Sequence, residues 1–228
     1  MEQVRLNKFL AERLGLSRRQ ADDAIAAGKV LINDKPAVLG TRIDKNDKVC
    51  YNGGIIPFSV GYLYVGLNKP VGYVCSRRAQ GDAPTIYELL PEKYRNLKTV
   101  GRLDKDSSGL ILLTNDGDFA FRMTHPGFAK TKIYEVELDR ALEPLHQQEI
   151  SDFGIEIGDG VSKLGLERLD ESRRRWRVSM QEGRNRQIRR TFGVLGYTVE
   201  QLHRTVFGPY QLSGLKPGEW TEVAKGRP

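Results

Sequence analysis

The segment richest in chemically capable side chains is Gly101-Arg102-Leu103-Asp104-Lys105-Asp106-Ser107-Ser108-Gly109-Leu110. Two carboxylates and two basic residues lie in a polar stretch bounded by glycines. Thr99-Val100 leads in as a short strand, and the apolar run Leu110 to Leu113 leads out as a strand buried on both faces. Loops held between core strands commonly present catalytic groups, and a positioned carboxylate can act as a nucleophile. Taken alone, these residues are read more simply as a charged turn closing a hairpin. The second cluster is arginine. Between Arg173 and Arg190 there are eight arginines and one acid, Glu182. Such a run is either a solvated face or a phosphate-binding surface, since the planar guanidinium fork suits phosphate better than lysine does. Tyr134 stands on an alternating segment, Ile133 to Leu138. Val136 and Leu138 share its face, so its ring points inward, and a core tyrosine with a satisfied hydroxyl is the plain reading.

Other chemistries have weaker support. Asp82, Asp104, Asp106 and Asp116 could be assembled into a metal nuclease, and His125, His146 and His203 could supply a paired-histidine ribonuclease. The histidines are far apart, none is near a candidate motif, and neither constellation has ordered spacing. No metal site is expected. Cys50 and Cys75 form no CxxC pattern, which argues against a disulfide framework and a structural zinc site.

Composition narrows the partners. The chain of 228 residues carries 36 Lys+Arg against 29 Asp+Glu, a net charge of +7. That suggests a polyanionic partner. Apolar residues at 39% suffice for a packed core. No run approaches the roughly 20 apolar residues that span a bilayer, and Met1 to Arg5 lacks a signal-peptide run. The expectation is a cytoplasmic protein with no membrane partner and no evident obligate protein partner, acting as a monomer.

Stepping outward to the elements, Leu6, Phe9, Leu10 and Leu14 recur at helical spacing up to Gly15. Ser17-Arg18-Arg19-Gln20 has the form of a capping box, so a second helix begins at Ser17 and stops at Gly28. Strands are expected at Lys29 to Ile32, Pro36 to Val38 and Lys48 to Tyr51, and a linker at 53–61 around Gly53, Gly54 and Pro57. From Tyr62 strands are expected at Leu63 to Leu67, Val71 to Cys75, Leu110 to Leu113, Ile133 to Leu138 and Trp176 to Met180. Helices are expected at Thr85 to Leu90, Pro144 to Phe153 and Ile188 to Leu195. The fold class is α+β: a small helical and hairpin domain over 1–52, then a mixed α/β domain over 62–228 with a mainly antiparallel sheet. Arg5, Lys8, Arg18 and Arg19 sit near the helix starts, off the apolar stripe. The helix dipole disfavours cations there, which leaves ordinary surface basicity or an outside anion as the explanation.

Arg5-Leu6-Asn7-Lys8-Phe9-Leu10 through Ser17-Arg18-Arg19 to Gly28-Lys29-Val30 resembles an S4 domain, a family that binds structured RNA. The loop Gly101 to Leu110 resembles the active-site motif of pseudouridine synthases. Leu67-Asn68-Lys69-Pro70-Val71-Gly72 is similar to their first motif. Lys132-Ile133-Tyr134-Glu135-Val136 is similar to their lysine-tyrosine strand, and Gly183 to Arg190 to their arginine-rich motif. Together these resemble the RsuA family of bacterial ribosomal-RNA pseudouridine synthases.

That resemblance implies isomerisation of a uridine in ribosomal RNA, possible within a ribosomal-subunit precursor, with no cofactor. It makes Asp104 the nucleophile and places Tyr134 beside the target base. Arg189, flanking the apolar stripe Ile188, Phe192 and Leu195, is the expected ion-pair partner of Asp104, with Arg186 next in line; phosphate binding by all these arginines is the alternative. RNA contacts are expected from Arg5, Lys8, Arg18, Arg19, Lys69, Arg77, Arg78, Arg102, Lys132, Arg184, Arg186 and Arg190. Lys69-Pro70 and Gly72 are expected to shape the active-site wall, and the loop from Arg77 to Asp82 to close on RNA. The form Asn185-Arg186-Gln187 leans toward the large ribosomal subunit. The competing functions are a non-catalytic RNA-binding or ribosome-assembly factor and an RNA hydrolase.

Overall fold

A computed structural model describes residues 3–58, 61–77 and 81–226. Their contacts divide the chain into two units: 1–63 with the short stretches 96–98 and 114–117, and 64–95, 99–113 and 118–228.

The first unit contains β1 (Val4–Arg5), α1 (Leu6–Arg13), α2 (Arg18–Ala26), β2 (Val30–Ile32), β3 (Lys35–Pro36), β4 (Arg42–Ile43), β5 (Val49–Tyr51) and β6 (Gly54–Ile56). The helical stripe holds as expected: Leu6, Phe9 and Leu10 pack with Ala21, Ala24 and Ile25 over Val30, Ile43 and Val49. The capping box is complete. Ser17 Oγ accepts from the Gln20 N–H at 3.1 Å, and Gln20 Oε1 accepts from the Ser17 N–H at 2.8 Å. Gly53-Gly54 is not linker. It turns the chain into β6, which pairs antiparallel with β5 and buries Ile56. A linker beginning at 53 is therefore corrected, because the backbone of 54–56 spends its hydrogen bonds on a sheet.

The second unit contains β7 (Tyr64–Lys69), β8 (Lys98–Val100), β9 (Ser108–Thr114), α3 (Gly117–Thr124), β10 (Lys132–Leu138), α4 (Pro144–Gln148), β11 (Ile155–Glu156), β12 (Val161–Ser162), β13 (Gly165–Arg168), β14 (Arg175–Met180), α5 (Gln187–Val194), β15 (Val199–Phe207), β16 (Tyr210–Gln211) and β17 (Trp220–Glu222). Its main sheet runs β13-β14-β10-β15-β9-β7-β17. The pairings of β10 with β14 and β15, of β13 with β14 and of β7 with β17 are antiparallel; β15 with β9 is parallel. Leu110 to Leu113 are all buried, as a strand covered on both faces requires.

Some elements differ from expectation. Val71 to Cys75 is mostly turn, with one bridge between Val74 and Thr85. Ile86–Leu89 is a 3₁₀ turn, and Pro144 to Phe153 begins as a short α-helix and ends as a π-turn. α3, β15 and several short strands were not anticipated.

One glycine is dictated by packing. Gly109 stands opposite Arg204 in the parallel pairing, with φ +104°. A Cβ there would lie 2.2 Å from the Arg204 carbonyl oxygen. No side chain fits that approach.

Candidate active site

Within the second unit a cavity of about 460 Å³ opens between the loop after β8, the inner residues of β10 and β15, the turn after α3, and the segment Met180 to Ile188. It is in the range of small-ligand sites. Asp104 lies in its wall with 28% of its side chain exposed.

The loop that presents Asp104 is held from several sides. Lys69, fully buried at the end of β7, donates to the Ser107 carbonyl at 2.6 Å and to the Pro70 carbonyl at 3.1 Å. The Gly72 N–H donates to the Lys105 carbonyl at 2.8 Å, and the Leu103 N–H reaches Cys75 Sγ at 3.5 Å. From α5, Arg189 Nη2 donates to the Asp106 carbonyl at 2.8 Å. The Ser107 N–H closes the turn on the Asp104 carbonyl at 3.1 Å.

Both Asp106 and Asp104 meet arginine. Arg186 makes a two-pronged contact with Asp106, at 3.0 and 2.9 Å, and its Nη1 lies 3.6 Å from Asp104 Oδ2. Arg189 Nε lies 3.3 Å from Asp106 Oδ2. The hydrogen bonds from Arg186 hold the Asp106 carboxyl below its usual range, with the Arg189 and Arg186 charges adding to the effect. The expected pairing of Asp104 with Arg189 is thus corrected: Arg186 is the arginine beside Asp104. The reason is local. Arg186 caps α5 in a left-handed conformation, φ +46°, and so projects off the helix toward the loop. Arg189 is one turn further in, where it spans the Val199 carbonyl and Asp106.

Tyr134 is buried, opposite Val178 on one side and Arg204 on the other, and its side chain lines the cavity. Its inward orientation follows the alternation of β10, where Val136 and Leu138 are also buried. Lys132 lines the same wall. It donates to the Glu182 carbonyl at 3.0 Å and lies 5.6 Å from the Phe207 ring centre. Burial, reinforced by the nearby Arg204, brings its pKa down to about 8.

The other predicted positions divide by place. Arg102, Arg184 and Arg186 line the cavity with Asp104. Arg184 is also tied to Glu182 and Asp159, and Arg190 turns to Asp159 and the Ile157 carbonyl. Arg77 lies with its guanidinium 5.0 Å from the Tyr87 ring centre. Arg78 lies outside the described residues. In the first unit Arg5, Arg18 and Arg19 are exposed and Lys8 is half-buried. The first turn of α2 contains no acid. Lys69 is a correction: an ammonium enclosed beneath the loop cannot be a surface RNA contact. Its burial lowers its pKa, opposed by Cys75, Asp106 and Asp104.

Four of the clustered arginines serve the fold. Arg173 donates to Leu142 and Gln147, Arg174 to Leu138 and Glu200, Arg175 pairs with Asp170, and Arg177 pairs with Glu167.

Sequence reasoning passed over two cavity residues. Arg204 is buried, donates from Nε to the Leu110 carbonyl at 2.7 Å and stacks 4.8 Å from the Phe207 ring centre. Its Nη2 is buried without a hydrogen-bond acceptor among the described residues. His125, dismissed as remote from any motif, also lines the cavity. Its place follows from α3, which the sequence pattern did not reveal.

The arrangement is a carboxylate beside an arginine in a basic, partly enclosed cavity with a buried tyrosine on its wall. Comparison with known proteins identifies that setting. The RNA pseudouridylate synthase family matches residues 63–193, and the S4 domain family matches residues 4–49. A ribosomal small subunit pseudouridine synthase A of Pasteurella multocida (strain Pm70) is 35% identical, over 97% of this chain and 96% of the relative. A dual-specificity RNA pseudouridine synthase RluF of Escherichia coli O6:H1 is 36% identical, over 96% of this chain and 75% of the relative. A crystal structure of a pseudouridylate synthase superposes with a TM-score of 0.69 at 34% identity, covering 97% of this chain and 96% of the other. The chain belongs to the RNA pseudouridylate synthases, in the RsuA family that places an S4 domain ahead of the isomerase domain.

Proposed function

We propose that this pseudouridine synthase acts on a specific uridine of ribosomal RNA, with Asp104 as its nucleophile and no cofactor. The reaction breaks the bond from the ribose C1′ to N1 of uracil and forms one from C1′ to C5; C5 loses its proton and N1 gains one. Nothing is oxidised and no group is imported. A carboxylate can carry such a glycosyl rearrangement as a covalent nucleophile. The observation that carries the reading is Asp104 Oδ2 in the cavity wall, 3.6 Å from Arg186 Nη1. The guanidinium stands beside the carboxylate without a hydrogen bond to it, so the oxygen stays open toward the cavity. Tyr134 is positioned to meet the base, and the cavity requires the nucleotide to leave its helical stack. Arg102, Lys132 and Arg184 supply cations to the same cavity for flanking phosphates, and Arg5, Lys8, Arg18 and Arg19 supply them on the S4 domain.

The cytoplasm is the proposed setting, the monomer the proposed state, and a ribosomal-subunit precursor one form the RNA can take. No helix among the described residues is long and apolar enough to cross a membrane. The large-subunit leaning of Asn185-Arg186-Gln187 runs against the relatives, which are named for the small subunit or for dual specificity. The assay therefore offers unmodified transcripts of both ribosomal RNAs to the wild type and to Asp104→Asn, with pseudouridine mapped chemically. The wild type is expected to mark one defined site and Asp104→Asn none. Equal product from Asp104→Asn refutes the nucleophile, and no product in either RNA, whether offered free or within a subunit precursor, refutes the ribosomal target.

A further inference from the structure

In α3, Phe119 and Met123 face the core and Phe121 faces outward; His125, the exposed residue just past the helix, follows Phe121 by four positions. The chain then turns through Pro126–Phe128 and brings a second phenylalanine beside the first. Phe121 is 54% exposed and Phe128 43%. The ring centres of Phe121 and His125 lie 4.8 Å apart, and each lies 6.0 Å from Phe128 with its plane steeply inclined to that ring. The fold has no evident use for this trio, because the core stripe of α3 is already complete without it. His125 is shared: it belongs to the trio and also lines the cavity that contains Asp104. Its Nδ1 accepts from the Gly127 N–H at 3.2 Å. Lys130, two residues beyond Phe128, lines the cavity as well.

We propose that Phe121, His125 and Phe128 form a stacking platform for an unpaired nucleobase of the RNA, one adjacent to the target uridine. The inference rests on the cavity being the catalytic site. Three properties select a base as the occupant. The surface is aromatic, so it offers π-faces to a flat ring. It is continuous with the cavity through His125, so the strand that delivers one nucleotide to Asp104 passes over it. Lys130 and Arg102 stand in the adjoining wall, where the connecting phosphates must run. Extruding a nucleotide unstacks its neighbours, and an exposed aromatic surface at the mouth restores stacking to one of them. The platform would thus stabilise the opened RNA that the chemistry requires.

The distinguishing variable is the aromatic face rather than apolar volume. In steady-state kinetics on a ribosomal RNA transcript that the wild type modifies, Phe121→Leu with Phe128→Leu is expected to lower kcat/KM about tenfold, mainly through KM. Phe121→Tyr is expected to keep it within about twofold, in line with retained stacking. Leucine variants equal to wild type, or a tyrosine variant as impaired as leucine, would overturn the platform while leaving the isomerase reading intact. A second measurement does not depend on knowing the target. In Phe121→Trp, the emission added over that of the wild type is expected to be quenched by single-stranded RNA and not by base-free polyphosphate. Equal quenching by both, or by neither, overturns the proposal even if the leucine variants fold poorly.

Discussion

Replacing Lys69 by methionine separates support of the loop that carries Asp104 from contact with RNA. The ammonium is fully buried and donates to the Ser107 carbonyl at 2.6 Å. Ser107 is itself buried, so no water readily replaces the donor. A hydrogen bond from a charged group contributes about 1.5–3 kcal/mol, and an orphaned buried carbonyl costs about 1–3 kcal/mol. Against these stands the relief of no longer desolvating an ammonium, whose burial already lowers its pKa. Taking the offset into account, the net loss is about 2 kcal/mol, or roughly 4–8 °C in melting temperature for a chain of this size. The kinetic signature is sharper. The loop carrying Asp104 loses its floor while the RNA-facing surface is untouched. Lys69→Met is therefore expected to lower kcat at least about tenfold, since misplacement of a reacting group is costly, with the RNA dissociation constant and its salt dependence unchanged. Filter binding at several salt concentrations alongside single-turnover kinetics makes the test. Weakened binding with a shallower salt slope and a normal kcat would show that Lys69 reaches phosphate, and the argument from burial would fail.

Gly109→Ala places a Cβ 2.2 Å from the Arg204 carbonyl at a φ of +104°, so it is expected to destabilise by roughly 3 kcal/mol or more. Melting within 2 °C of wild type, roughly 0.5–1 kcal/mol by the same scaling, would contradict that close approach. Lys132 is charged below about pH 8 and neutral above it, so RNA affinity should decline as pH rises through that value. Lys132→Arg should flatten this dependence, since arginine stays protonated throughout; an identical decline in the variant would exclude Lys132 as its source. On the S4 domain, Arg18→Ala with Arg19→Ala is expected to reduce the slope of log affinity against log salt by about 1.5, two phosphate contacts' worth. An unchanged slope on a ribosomal RNA transcript would return those arginines to the solvated surface.

What could be read in the sequence was whatever local rules decide. The Ser17 capping box needs only the residues from Ser17 to Gln20, and it forms as written. The run Leu110 to Leu113 and the alternation of Tyr134, Val136 and Leu138 report burial directly. Long-range pairing hid the rest. β15 shows no clean alternation because its pairing with β10 shifts register between Ile133 and Tyr134 and again between Glu137 and Leu138. Arg204 was invisible for that reason, and its position across from Gly109 comes only from the parallel pairing of β15 with β9. Lys69 ends a short strand, and nothing in its neighbours says that the loop from Gly101 will close over it. The arginines were misassigned because a helical wheel assumes that every residue is helical. Arg186 is the cap, with a positive φ, so its side chain leaves the helix toward the loop, whereas Arg189 stays on the helix surface.

The consequence of that cap reaches Asp104. Two carboxylates and two arginines meet at the loop, yet they do not pair one to one. Asp106 takes both prongs of Arg186 and also lies within 3.3 Å of Arg189 Nε, and its carbonyl accepts from Arg189 Nη2. Asp104 has Arg186 at 3.6 Å, beyond hydrogen-bond length, and no side-chain hydrogen bond among the described residues. It therefore has a cation beside it, while its lone pairs are not engaged by that cation. For the proposed attack on carbon, this arrangement serves better than a full two-pronged pair, which would have to break first. The residue that makes it possible is Asp106, two positions along, which takes both prongs of Arg186 and one donor of Arg189. A loop with one carboxylate would give its lone pairs to the arginine beside it; with two, Asp106 takes the prongs of Arg186 and Asp104 stays open.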